Sequence, residues 1–218
     1  MRFQLLSCLL FLVFNTDAQT SLAAINLNYG EFQVGYQHYT LTDSTRLYQV
    51  HTAFNKQQNY RPIPVSIWYP AEVDQKDAKP LTVLNYLEVL KEEEEWKHLP
   101  NYFLLDWFSY LWNTPDNNAH LPETAQAYAD AKMIKGPFPV IIYAPSQQAT
   151  SIENFALCEY LASHGFIVLA SPSRGVDSKW MVGNAVKNVE AQSRDIACLL
   201  KEITKYEAID SKKVALMA

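Results

Sequence analysis

The chain has 218 residues, 49% hydrophobic and 19% charged, with a net charge of −5. A mildly acidic chain with no basic block gives nucleic acid no electrostatic footprint, which excludes that class of partner. Its three cysteines show neither C-x-x-C nor His-rich spacing, so a zinc or dithiol site is excluded too, and no internal repeat or low-complexity linker divides the chain.

Arg2 precedes an apolar stretch from Leu5 to Phe14, and Ala18 stands at a cleavage point within "NTDAQT". That is the three-part shape of a secretory signal peptide. The apolar run is too short to cross a bilayer, which takes ~20 residues. Residues 1–18 are therefore read as a signal peptide with cleavage after Ala18 and no lipid on Cys8. Residues 19–218 form one exported domain, secreted or periplasmic, with no membrane span. About 200 residues suffice for one sizeable core. Cys158 and Cys198 fall on predicted helices and read as buried thiols.

Two strands come first. "EFQVGYQHYTL" and "RPIPVSIWYP" alternate with period two, and Ile63, Val65, Ile67 and Tyr69 share one face of the second. "TDSTR" supplies turn chemistry between them, and Pro70 closes the second strand. Residues 72–135 break the pattern and predict a helical insertion. It holds the "KEEEEWK" run, read as a solvated helix face, and the aromatic stretch "NYFLLDWFSYLW". The apolar face of that stretch packs on the domain or walls an apolar pocket.

From Gly136 the signals sharpen. "GPFPVIIYAP" carries a continuous apolar run, as a strand buried on both faces should. Thr150 and Glu153 form a capping-box pattern opening a helix with Phe155, Cys158, Leu161 and Ala162 on one face, and Gly165 is placed to end it. "FIVLAS" is the next strand. A second helix follows, with Val186, Val189, Ile196, Leu200 and Ile203 at helical spacing, and "VALMA" predicts a third buried strand. Strand, helix, strand, helix, strand means a parallel sheet with helices on its faces. The fold class is α/β.

"GEFQVGYQHYTLTDSTR", "RPIPVSIWYPA", "GPFPVIIYAPS" and "LASHGFIVLASPSRG" together resemble the bacterial relatives of platelet-activating factor acetylhydrolase. These are secreted serine ester hydrolases of the α/β-hydrolase superfamily, akin to dienelactone hydrolases. The resemblance implies the amino-terminal portion of an α/β-hydrolase fold, with two antiparallel-type strands before the parallel βαβαβ run. It further implies that the strand resembling "VALMA" leads into a G-x-S-x-G elbow. No G-x-S-x-G occurs in the sequence. By the resemblance, the nucleophile, acid and histidine therefore lie beyond Ala218, and the chain is a portion of a longer protein, inactive as it stands.

One catalytic element is implied within the chain. The loop after "PVIIYAPS" conventionally supplies an oxyanion-hole N–H. Pro145 and Ser146 occupy the family's His-Gly positions, and Gln147 falls where the donor would be. This departure removes an N–H and restricts the backbone. A triad internal to the chain would have to draw on Ser146, His164, Asp177 and Asp195. His164, at a helix end, reads as a cap, and His38, His51, His98 and His120 show no ligand spacing. Arg174 and Asp177 lie at a strand's carboxyl end, where open α/β sheets form sites, or stabilise a loop turn. The expected activity is hydrolysis of a small-molecule or lipid-like carboxylic ester, without metal or organic cofactor. The alternative is a non-catalytic secreted binding protein, favoured by "APSQQA".

Overall fold

The computed structural model describes residues 21–48, 59–74, 78–93, 98–101 and 115–218. The predicted signal peptide, His51 and nearly all of the aromatic stretch (residues 102–112) lie outside the described residues.

Among the described residues eight strands join in one mixed sheet. β1 (Gln33–Leu47) and β2 (Tyr60–Glu72) are antiparallel. Three short strands follow: β3 (Pro80–Thr82), β4 (Thr124–Ala129) and β5 (Lys132–Met133). β6 (Phe138–Tyr143), β7 (Ile167–Ala170) and β8 (Ile209–Met217) are parallel. The order is β3-β4-β1-β2-β7-β6-β8, with β5 beside β2. The helices are α1 (Leu22–Ile25), α2 (Val83–Glu93), α3 (Pro115–His120), α4 (Phe155–Ser163) and α5 (Ala185–Glu202).

The sheet is covered on both faces. On one, Tyr36, Trp68 and Val168 pack with Tyr86 and Leu90 of α2 and Cys158 and Ala162 of α4. On the other, Ile63, Val65, Ile67 and Tyr69 pack with Val140, Ile142 and Leu199 of α5. Full burial of a side chain such as Ile67 contributes about 1.5–3 kcal/mol. The chain passes from β6 through α4 to β7, then crosses back through α5 to β8 on the far side of β6. Strand order therefore reverses at β6, and a crevice belongs at the carboxyl ends of β6 and β8.

Several expectations are corrected. β1 runs through "TDSTR" instead of ending there; the turn chemistry is present, Asp43 accepting the Thr45 N–H at 2.9 Å, but it makes an irregularity between Asp43 and Leu47 after which pairing with β2 resumes at Tyr60. β2 continues past Pro70. The Pro70 carbonyl accepts the Ile134 N–H, and Pro62 and Pro64 share its parity, so the missing N–H groups face the side where β7 pairs only with residues 66–68. The insertion is not purely helical, since β3, β4 and β5 lie within it and extend the sheet. Within the acidic run, Glu93 is buried, and its carboxylate accepts the Ser151 hydroxyl.

The buried face of α5 is Asn188, Ala191, Asp195, Leu199 and Glu202, whereas Val186 and Val189 are exposed. Ion pairing decides this: Asp195 is drawn inward by Arg61, 1% exposed, at 2.5 Å and by Arg46 at 2.5 Å. α5 is capped by Asn184, whose Oδ1 accepts the Val186 N–H at 2.9 Å. Among the described residues β8 pairs with β6 alone, and Leu216 is 64% exposed, so the expected burial on both faces is absent.

Gly165 ends the α4 region as expected, with φ 87, a left-handed conformation costly for any residue with a Cβ. The segment before β1 is fastened to the same corner. Gly30 N–H donates to Ser163 Oγ at 2.8 Å and Phe32 N–H to Ser163 O at 3.1 Å. Glu159 of α4 is fully buried and latches β4, accepting the Ala127 N–H at 2.9 Å, the Gln126 N–H at 3.2 Å and the Tyr86 hydroxyl at 2.9 Å. Burial raises its carboxyl to about 7 against the pull of those donors.

Candidate functional site

The candidate site is built on the turn that leaves β6. Ala144 N–H donates to Met217 O at 2.8 Å, so β6 and β8 stay paired to their carboxyl ends. Ala149 N–H then closes a turn on Ser146 O at 3.0 Å, with Gln148 at φ 64. Gln147 sits at the tip, exposed, and its N–H donates to no group among the described residues.

Neighbouring loops hold this turn. Glu153 Oε2 accepts the Ser146 N–H at 2.9 Å and the Tyr143 hydroxyl at 2.8 Å. Burial pushes the Tyr143 hydroxyl up to about 12, so it remains a donor. Gln148 Nε2 donates to Lys179 O, and its Oε1 accepts the Met181 N–H, both at 2.7 Å. Ser173 N–H donates to Ala149 O at 2.9 Å, tying in the loop after β7. The expected capping box does not form. α4 starts at Phe155, and the Glu153 carboxylate is spent on the turn. The sequence pattern thus concealed Glu153 as a site-shaping residue, although its proximity to "APSQQA" was visible.

The other candidates do not converge. Ser146 is exposed at the carboxyl end of β6, while His164 follows α4 at the opposite, amino-terminal end of the parallel strands. The His164 Nδ1 lies 2.8 Å from Tyr160 O, a capping contact. Asp195 is taken by the two arginines, and Asp177 is exposed. The internal triad is therefore not assembled. His38 Nδ1 lies 3.0 Å from Ser66 Oγ, but Ser66 is fully buried and also bonded to Ser151 and Tyr36, so it cannot reach a substrate. Arg174 is buried and its Nη2 donates to Glu93 O, capping the carboxyl end of α2, a stabilising place for a cation. Cys158 and Cys198 are both free, the first fully buried. Among the described residues no cluster of three His, Cys, Asp or Glu could hold a metal ion, and no helix is long and apolar enough to cross a membrane.

Beside the turn lies an apolar cavity of about 760 Å³, which Ala149 and Thr150 join to the site. Its other described walls come from α2, the start of α4 and the segment around α1.

No known family and no curated protein matches the sequence. Among solved structures, the chain is similar to a ferulic acid esterase from Streptomyces cinnamoneus, with a TM-score of 0.60 at 17% identity. The likeness is one of fold. It covers 88% of this chain but 53% of the esterase, so the chain spans about half the length of that relative. The α/β architecture read from the sequence is thus shared with that esterase.

Proposed function

We propose that the protein is the amino-terminal portion of an exported α/β-type ester hydrolase that works through an acyl-serine intermediate, in the manner of the platelet-activating factor acetylhydrolase relatives. The observation that carries this reading is the turn after β6. In a fold shared with an esterase, an exposed backbone N–H without an internal partner, that of Gln147, stands at the point where strand order reverses. An N–H so placed can donate to the oxyanion that develops as an ester carbonyl is attacked.

The nucleophile, acid and histidine belong beyond Ala218. β8 lies next to β6 and ends level with it, so a serine raised directly after Ala218 would stand about one strand spacing, ~5 Å, from the Ser146–Gln147 turn. The serine attacks the carbonyl carbon, the histidine takes its proton and then gives it to the departing alcohol, and water releases the acyl group. The substrate is a small-molecule or lipid-like ester, and no step needs a metal or organic cofactor.

Pro145 and Ser146 favour a second reading, a binding protein that kept the fold without the chemistry. A fluorophosphonate probe separates the two. On a protein extended beyond Ala218 it should label one serine, within a G-x-S-x-G, and should leave the 218-residue chain unlabelled. An extended protein that takes no label would favour the binding protein.

A further inference from the structure

The cavity beside the turn has a lining that specifies its contents. Its floor is Leu87 and Leu90 of α2 with Ile152, all buried. One wall is the segment after the predicted signal peptide, through Leu22 and Leu27. The mouth is flanked by Ile25, 52% exposed, and Leu157, 37% exposed, two aliphatic side chains left open to water. Phe155 supplies a ring, but one face of that ring is already stacked on Tyr86, with centroids 4.1 Å apart.

The polar side chains of the described lining, Thr150, Glu153 and Asn154, lie along the side nearest the turn. Glu153 holds Ser146 and Tyr143, and the Asn154 side chain donates to the Tyr143 hydroxyl. The described lining's one hydroxyl, that of Thr150, stands beside Ala149 at the turn, and the floor and mouth away from it are aliphatic. The amino-terminal wall is fixed at both ends. Leu22 N–H donates to Glu123 Oε2 at 2.7 Å, Glu123 is itself paired with His120 at 2.6 Å, and Gly30 is fastened to Ser163.

We propose that this cavity binds an unbranched aliphatic chain, the acyl or alkyl arm of an ester, with the polar end of that ligand directed to the Gln147 turn. A volume of about 760 Å³ is in the range of small-ligand pockets. The chain would cover Ile25 and Leu157 at the mouth, and the segment around α1 becomes part of the binding site. The identification of the ligand as an ester rests on the hydrolase reading; the aliphatic preference rests on the lining alone.

The test is a binding titration of the 218-residue protein with methyl butanoate, hexanoate, octanoate and decanoate, with an aromatic methyl ester as comparison. Affinity should rise about fourfold per added methylene until the cavity is full, equivalent to about 0.8 kcal/mol per CH₂. The aromatic ester should bind more weakly than the straight-chain ester of similar size. Ala156→Trp, which fills the cavity from α4, should abolish binding. Ile25→Glu, at an exposed position that tolerates the change, should cut decanoate affinity by at least about tenfold by placing a charge at the mouth. Affinity independent of chain length, tighter binding of the aromatic ester, or unaltered binding by Ile25→Glu would overturn the proposal. Binding needs no nucleophile, so such a result leaves the serine-labelling experiment untouched, and a failure of labelling leaves this one standing.

Discussion

Replacing Glu159 by Gln should remove a pH dependence of stability that the wild type carries. The carboxyl is fully buried, and burial raises it from 4.5 to about 7 although four hydrogen bonds from Ala127, Gln126 and Tyr86 favour the charged form. The folded protein therefore holds this proton more tightly than the unfolded chain. Below about pH 4.5 both states are protonated, and the stabilising contribution is complete. As pH rises, the unfolded chain ionises first, and the contribution is lost progressively until the folded carboxyl ionises near pH 7. At about 1.4 kcal/mol per pH unit, the loss across that window is about 3 kcal/mol. Urea denaturation followed by tryptophan fluorescence, at half-unit steps from pH 4.5 to 8.5, measures it, and Trp68 Nε1 donating to Tyr86 makes a direct reporter. The difference between wild-type and Glu159→Gln stabilities cancels groups common to both. A difference that stays constant between pH 5 and 7 would refute the assignment of a raised carboxyl to this site.

Arg61→Met should cost about 3–5 kcal/mol in the same denaturation assay, because it leaves the Asp195 carboxylate buried with Arg46 as its remaining ion-pair partner; Arg61→Met with Asp195→Leu should recover part of that loss. Gly30→Ala would bring a Cβ to 2.2 Å from Ser163 O, so stability should fall by about 1–3 kcal/mol, read as a lower urea midpoint. Burial pushes the Cys158 thiol far above its usual range, so peptide mapping after maleimide treatment at pH 8 should find Cys198 modified in the folded protein and Cys158 only after unfolding. Expressed with its own leader, the exported protein should begin at or near Gln19 by intact mass; a product retaining Met1 would refute export by this signal.

The parallel core was legible because "PVIIY" and "FIVLA" bury both faces and so read as continuous apolar runs. The faces of β2 were legible too, since Ile63, Val65, Ile67 and Tyr69 do share one core. The buried face of α5 is not legible from apolar spacing, because its inward stripe carries Asn188 and Asp195, and the arginine that makes burial of Asp195 acceptable lies 134 residues away. β4 gave no strand signal. "TAQAYA" is small and polar, and two of its N–H groups are satisfied by Glu159, a partner 32 and 33 residues further on. Only the family resemblance marks Gln147, since nothing in its residue type or spacing sets it apart. Glu153 was hidden because one spacing serves both a capping box and a carboxylate that folds back on the preceding turn.

The stitching of the first residues to Ser163 bears on how the chain acquires its structure. Gly30 and its partner are 133 residues apart, and Leu22 and Glu123 are 101 apart. Contacts so distant in sequence form late, since loop closure must be paid before they return anything. At about 5–20 residues per second, roughly 7–27 s of synthesis separate the emergence of Gly30 from that of Ser163. The segment carrying Leu22, Ile25 and Leu27 gains its first of these partners when Glu123 emerges and its second only with Ser163. An amino-terminal segment whose partners lie 101 and 133 residues further on stays unanchored until they have been made.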